Sequence, residues 1–135
     1  MSYGISAALQ EAVYARLLGS AQLTEIVGSA VYDELPPGPM PSLYVALGPE
    51  KVRDASDVAT AAARHDFTVS VVTESAGFQT AKAAAGAVSD ALNGAAMTLG
   101  RGHLVGLWFR QARATRESGG LRRIDMTFRA HVEDD

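Results

Sequence analysis

Near the start of the chain, Ile5, Leu9, Ala12, Val13, Arg16 and Leu17 recur at helical spacing. The pattern predicts a helix with one apolar face, with Ser2 as its N-cap and Gly19 as its stop. Ser20 opens a shorter helical piece carrying Leu23, Ile26 and Val27 and ending at Gly28. Val31-Tyr32 begins a short strand. Ser42 to Leu47 reads as another, with Leu43, Val45 and Leu47 on one face and Tyr44 on the other. Between them, YDELPPGPMPS holds four of the five prolines in the chain, Pro36, Pro37, Pro39 and Pro41. Proline fixes its own φ and pushes the preceding residue towards extended geometry, so this segment reads as a rigid crossing. Residues 48–63 have no strong period and are expected to form a long, mobile loop.

From Arg64 to Thr73 the alternation returns, with Phe67, Val69 and Val71 facing in and Asp66, Thr68 and Ser70 facing out. A second long helix follows, with Phe78, Ala81, Ala85, Val88 and Leu92 at helical spacing and Asn93-Gly94 as its stop. Ala84, Ala87 and Ala91 run beside that seam, and such small residues suit a helix lying close against a sheet. Met97 to Leu99 reads as a short strand or turn. Leu104 to Ala114 is strand-like, with Val105, Leu107 and Phe109 on one face. Ser118-Gly119-Gly120 is a turn signal. Ile124, Met126, Phe128, Ala130 and Val132 then alternate with Arg123, Asp125, Thr127, Arg129 and His131, the cleanest amphipathic strand in the chain. The last two strands are expected to form a long hairpin. The order of elements predicts an α+β fold, a mixed or mostly antiparallel sheet with two long helices packed on one face. Residues 1–135 read as a single domain.

Composition narrows the classes. Cysteine is absent, which removes disulfides and thiol chemistry. Glu11 and Arg16 interrupt the apolar pattern of the N-terminus, unlike a signal peptide, and no apolar run reaches the length of a membrane span. These features predict a soluble protein made in the cytoplasm, with no membrane partner. The net charge of −3 is unevenly spread: residues 1–100 hold ten acids and five bases, residues 101–135 five acids and seven bases. Such asymmetry hints at a charged contact surface.

Candidate chemistry is thin. GRGHLVG, from Gly100 to Gly106, has the wrong glycine spacing for a phosphate loop and leads into a strand rather than a helix. His65, His103 and His131 are far apart in sequence, and surface histidines are a simpler account than a metal site. No nucleophile elbow is present. The acid pairs Asp33-Glu34 and Asp54/Asp57 fall in or near loops, where solvated carboxylates are the default. No catalytic, cofactor-binding or metal-binding residue is assigned.

The arginines of the final hairpin carry more information. Arg110, Arg113, Arg116, Arg122, Arg123 and Arg129 suit a solvated face, with cross-strand pairing to Asp125 and Glu117 worth little per pair. The functional reading is a charged contact, with a neighbouring subunit first and nucleic acid second. Aromatics are not interleaved among them as stacking platforms, Trp108 being the one close by. On strict alternation Trp108 shares a face with Arg110 and Ala112, opposite Leu107 and Phe109. Both a core role and an interface role for Trp108 stay open.

The run AALQEAVYARLLGSAQLTEIVGSAVYDELPPGPMPSLYVALG resembles the opening of the tail terminator (tail completion, or head–tail joining) proteins of long-tailed phages and gene transfer agents. The family's pattern of an N-terminal helix, a leucine, Val-Gly, Ile-Tyr-Asp, a proline and Pro-Tyr-Val is matched by Leu23, Val27-Gly28, Val31-Tyr32-Asp33, Pro36 and Pro41 through Val45. Ser42-Leu43, interposed between Pro41 and Tyr44, is a departure that shifts the expected Pro-Tyr pair. A strand, a helix ending in Ala91-Leu92 and a long final hairpin extend the resemblance over nearly the whole chain.

That resemblance implies a non-enzymatic virion protein without a cofactor, put together in the cytoplasm of a bacterial host. It implies a homo-oligomer, a hexameric ring at the head-proximal end of the tail tube. The ring would stop tube polymerisation, meet the head–tail connector or stopper protein, and let DNA pass through its lumen. Residues 48–63 would dock with the tube or connector, ordering on binding. A ring needs two different contact patches on each subunit. The candidate interface residues are Pro36, Pro37, Pro39, Trp108, Arg110, Arg113, Arg123 and Arg129. A small nucleic-acid- or ligand-binding α+β domain remains the alternative.

Overall fold

A computed structural model describes residues 3–134. In chain order the elements are α1 (Ser6–Leu18), α2 (Ala21–Val27), β1 (Val31–Tyr32), β2 (Leu43–Asp54), β3 (Ala61–Thr73), α3 (Gln79–Leu92), β4 (His103–Arg116) and β5 (Arg122–Asp134). The strands form one five-stranded sheet in the order β1-β2-β3-β5-β4. β1 runs parallel to β2, and every other neighbouring pair is antiparallel. The result is an α+β fold with a mixed sheet.

Local chemistry sets the helix ends. The Ser20 side chain accepts from the Leu23 amide at 3.2 Å to open α2, and Gly28 closes it at φ 62°. Arg16 Nε donates to the Ala91 carbonyl at 2.8 Å, so α1 caps the end of α3. Ser2, expected to cap α1, lies outside the described residues. Ile5 occupies the N-cap position without a side-chain bond.

The three helices share one apolar core with one face of the sheet. Leu9, Val13 and Leu17 from α1, Leu23 from α2, and Ala84, Val88 and Leu92 from α3 bury against Val45, Val69, Val71, Ile124, Met126 and Phe128. Phe67, Phe128 and Phe109 are direct cross-strand neighbours, with ring centroids 5.8 Å apart in both pairs. The alanine seam of α3 is buried, as small residues on a closely packed helix require.

Two segments depart from expectation. Residues 48–63 are not a mobile loop: β2 and β3 extend through them as a long hairpin whose tip spans only residues 55–60. The tip is tied by Asp57, whose carboxylate accepts from the amides of Ala59 and Thr60 at 2.8 Å. Met97 to Leu99 forms no strand.

In β4 the register shifts between Leu104 and Gly106 and again between Phe109 and Gln111. Each shift is a bulge that removes one residue from the alternation. Val105 and Arg110 leave the ladder, and Ala112 falls on the helix side, opposite Met126, rather than beside Trp108.

Candidate interface surfaces

The sequence-predicted interface residues separate into three groups. Pro36, Pro37 and Pro39 lie in the crossing from β1 to β2, at one edge of the sheet. β1 and β2 are parallel, so the chain must return the length of the strand before pairing, and a proline-braced extended crossing makes that return with few conformations. Asp33, Glu34, Leu35, Pro37 and Pro39 are exposed there. Asp33 accepts from Gln10 Nε2 of α1 at 2.6 Å. Beside it, an open groove of about 870 Å³ runs along α1, walled by Tyr3, Tyr14, Glu11 and Asp33.

Trp108, Arg110 and Arg113 lie on β4, the opposite edge. Trp108 is not a core residue: its ring covers Gly106, where a Cβ would sit 2.6 Å from the indole, and 40% of it remains exposed. Phe109 packs edge-on against Phe128 on the helix side and is still 38% exposed, because β4 runs out beyond the helices. The α3 stop reaches this strand: Asn93 Oδ1 accepts from the Phe109 amide at 2.9 Å, and the Gly94 amide donates to the Leu107 carbonyl at 2.7 Å. Beyond Phe109 the edge is exposed, apart from half-buried Thr115. The guanidinium groups of Arg110, Arg113 and Arg116 have no hydrogen-bond or ion-pair partner among the described residues.

Arg123 and Arg129 behave differently. They sit on β5, inside the sheet, and are held by its own acids. Arg129 forms a two-pronged pair with Asp66, at 2.7 and 3.1 Å. Arg123 Nε donates to Asp125 at 2.9 Å, and Ser70 Oγ donates to the same carboxylate oxygen at 2.5 Å. Hydrogen bonds from Arg129 are the main reason the Asp66 carboxyl lies below its ordinary range.

A fourth group was not visible in the sequence. His65, expected at the surface, is wholly buried. Its Nδ1 lies 3.3 Å from Glu50, whose carboxylate also accepts from Tyr3 at 2.5 Å and Ser6 at 2.8 Å. Burial works to raise the Glu50 carboxyl, but the bonds from Tyr3, Ser6 and His65 hold it below its usual range. Four residues separated by up to 62 positions leave no spacing signal, and only the pairing of β3 beneath α1 brings them together. The cluster ties the start of α1 to the β2–β3 hairpin. His65 Nε2 has no hydrogen-bond partner among the described residues.

Among the described residues, no three His, Asp or Glu side chains are grouped closely enough to hold a metal ion. Among them also, no helix is long and apolar enough to cross a membrane. The Gly100–Gly106 run leads into β4, and Gly102, at φ 64°, passes so close to the Glu133 carbonyl that no side chain fits. Its glycine serves packing.

No curated protein matches the chain. Among solved structures, a chain from the virion of a native gene transfer agent particle superposes with a TM-score of 0.94 at 59% identity, covering 98% of this chain and 99% of that one. The family model described as tail completion protein gp17 matches residues 11–133. The chain belongs to the gp17 family of tail completion proteins.

Proposed function

We infer that this structural tail protein closes the head-proximal end of a tail tube as a homo-oligomeric ring, most simply a hexamer. In that position it stops tube polymerisation, joins the tube to a head-side connector and leaves a lumen for DNA. It does so by contact and shape, without catalysis. The observation that carries this reading is the likeness, over nearly the full length of both chains, to a chain of a gene transfer agent virion. Two features of the molecule support it. The exposed proline crossing and the exposed β4 strand lie on opposite edges of one sheet, and a cyclic assembly uses two different patches on each subunit. The β2–β3 hairpin ends in an apolar residue, Val58, fully exposed at its tip, and suits docking with the tube or connector.

The test is genetic. Removing the gene is expected to give tubes of uncontrolled length and heads without tails in electron micrographs of the particles. Tubes of normal length joined to heads would overturn the reading.

A further inference from the structure

The sheet edge at β1 and the proline crossing is acidic, whereas β4 at the other edge is basic; Lys51 and Arg53 lie farther along β2. From Arg101 to Arg116 the chain has four arginines and no acid; from Leu17 to Glu50 it has four acids and no base. The first stretch supplies β4, and the second supplies β1, the proline crossing and the start of β2. Arg110, Arg113 and Arg116 are exposed and make no hydrogen bond or close ion pair among the described residues, although Arg110 helps to lower the Asp66 carboxyl and Arg113 lies opposite Asp125. On the other side, Glu11 and Asp33 wall the open groove along α1 together with Tyr3 and Tyr14, and the Arg101 guanidinium, held by Asp134, packs against Gly4 at its end.

Resting on the ring function above, we propose that the arginine edge of β4 in one subunit docks against the acidic groove and proline crossing of the next copy of the same chain, head to tail. Carboxylates and tyrosine faces are what a guanidinium group seeks. Trp108 lies at the same edge as the arginines, and Leu35, 51% exposed, lies in the proline crossing beside the acids, so each edge also offers an apolar surface. The charges also decide against the other ways of joining two copies. Two β4 edges brought together would oppose arginine to arginine, and two proline edges would oppose acid to acid. An edge strand is a ready template for pairing, and like charge along it blocks the two-fold contact. Only the heterologous contact joins unlike charges, and that is the contact which propagates around a ring.

The test is a charge exchange between edges, read by native mass spectrometry and by negative-stain microscopy with tail tubes present. One variant carries Arg110→Glu, Arg113→Glu and Arg116→Glu. A second carries Glu11→Lys, Asp33→Lys and Glu34→Lys. A third carries all six. Because these side chains are exposed, folding is expected to persist, which circular dichroism checks. Each single-edge variant is expected to assemble roughly tenfold or more weakly than wild type, and the six-fold variant to recover assembly. Mixing the two single-edge variants is expected to restore rings of alternating subunits. If single-edge variants assemble as well as wild type, the edge contact is wrong and the ring stands. If they fail and the six-fold variant also fails while folded, the pairing of these two edges is wrong. If wild type neither assembles nor caps tubes, the ring function falls and the edge contact with it.

Discussion

Glu50 holds a position that sequence reading gave no reason to notice. It accepts hydrogen bonds from Tyr3 and Ser6 and faces the buried His65, and its carboxyl lies below the ordinary range, as does that of Asp66. A carboxyl with a lowered folded pKa binds its proton less readily in the folded state than in the unfolded one. The stability it contributes is complete above the unfolded value, about 4, and is lost as pH falls through the lower folded value. Denaturant melts are therefore expected to show stability falling from about pH 5 towards about pH 2. Glu50→Gln is expected to start less stable and to lose less over that window; an unchanged acid slope would contradict the role given to Glu50. Gly102 makes a second residue-scale case. At φ 64°, an added Cβ would meet the Glu133 carbonyl and come within 2.7 Å of Ile5 Cδ1. Gly102→Ala is expected to cost about 1–3 kcal/mol in the same melts, whereas Gly119→Ala, with nothing nearby to meet, carries only the strain of its positive φ.

The elements differ in how plainly the chain announces them. α1, α3 and β5 bury one face against a continuous core, and their apolar spacing shows it. The far half of β2 does not, because it extends past the helices and is exposed over much of its length. PEKVRD therefore carries no alternation, although Glu50 to Asp54 pair with β3 beyond an irregularity at Gly48-Pro49. In β4 two bulges break the period of two, so strict alternation put Ala112 beside Trp108 when it lies on the other face. The split among the arginines depends on partners brought from elsewhere in the chain: Asp66 of β3 holds Arg129 by two hydrogen bonds, while Arg110 on the edge strand acts on the same carboxylate only through its charge, and Arg113, opposite Asp125, makes no hydrogen bond or ion pair among the described residues. Strand order, and with it the placement of prolines and Trp108 on opposite edges, is a property of the pairing and has no local signal. One link between elements can be tested directly. Asn93 ties the end of α3 to β4 through the Phe109 amide. Asn93→Ala is expected to cost about 1 kcal/mol and to speed hydrogen exchange at the Phe109 amide selectively. Equal exchange in both proteins would show that the contact does not hold the strand.

At the scale of the whole molecule, the fold offers one packed layer of helices on one side of the sheet, a largely polar sheet face on the other, and two exposed edges, acidic at β1 and the proline crossing and basic at β4. Here the buried polar cluster fastens α1 to a hairpin, and the unpaired bases stand along an edge. Triple replacement of Pro36, Pro37 and Pro39 by Ser is expected to leave the fold intact, to lower stability by about 0.4–1 kcal/mol per residue through the freer unfolded chain, and to weaken assembly further because the crossing must then be ordered on contact. A variant that assembles as tightly as wild type would remove the crossing from the interface. The most direct measurement is electron microscopy of purified protein added to tail tubes grown without it. The account predicts a six-fold ring capping one end of each tube and an end to further growth. Tubes that remain bare and keep lengthening under all salt conditions would contradict it.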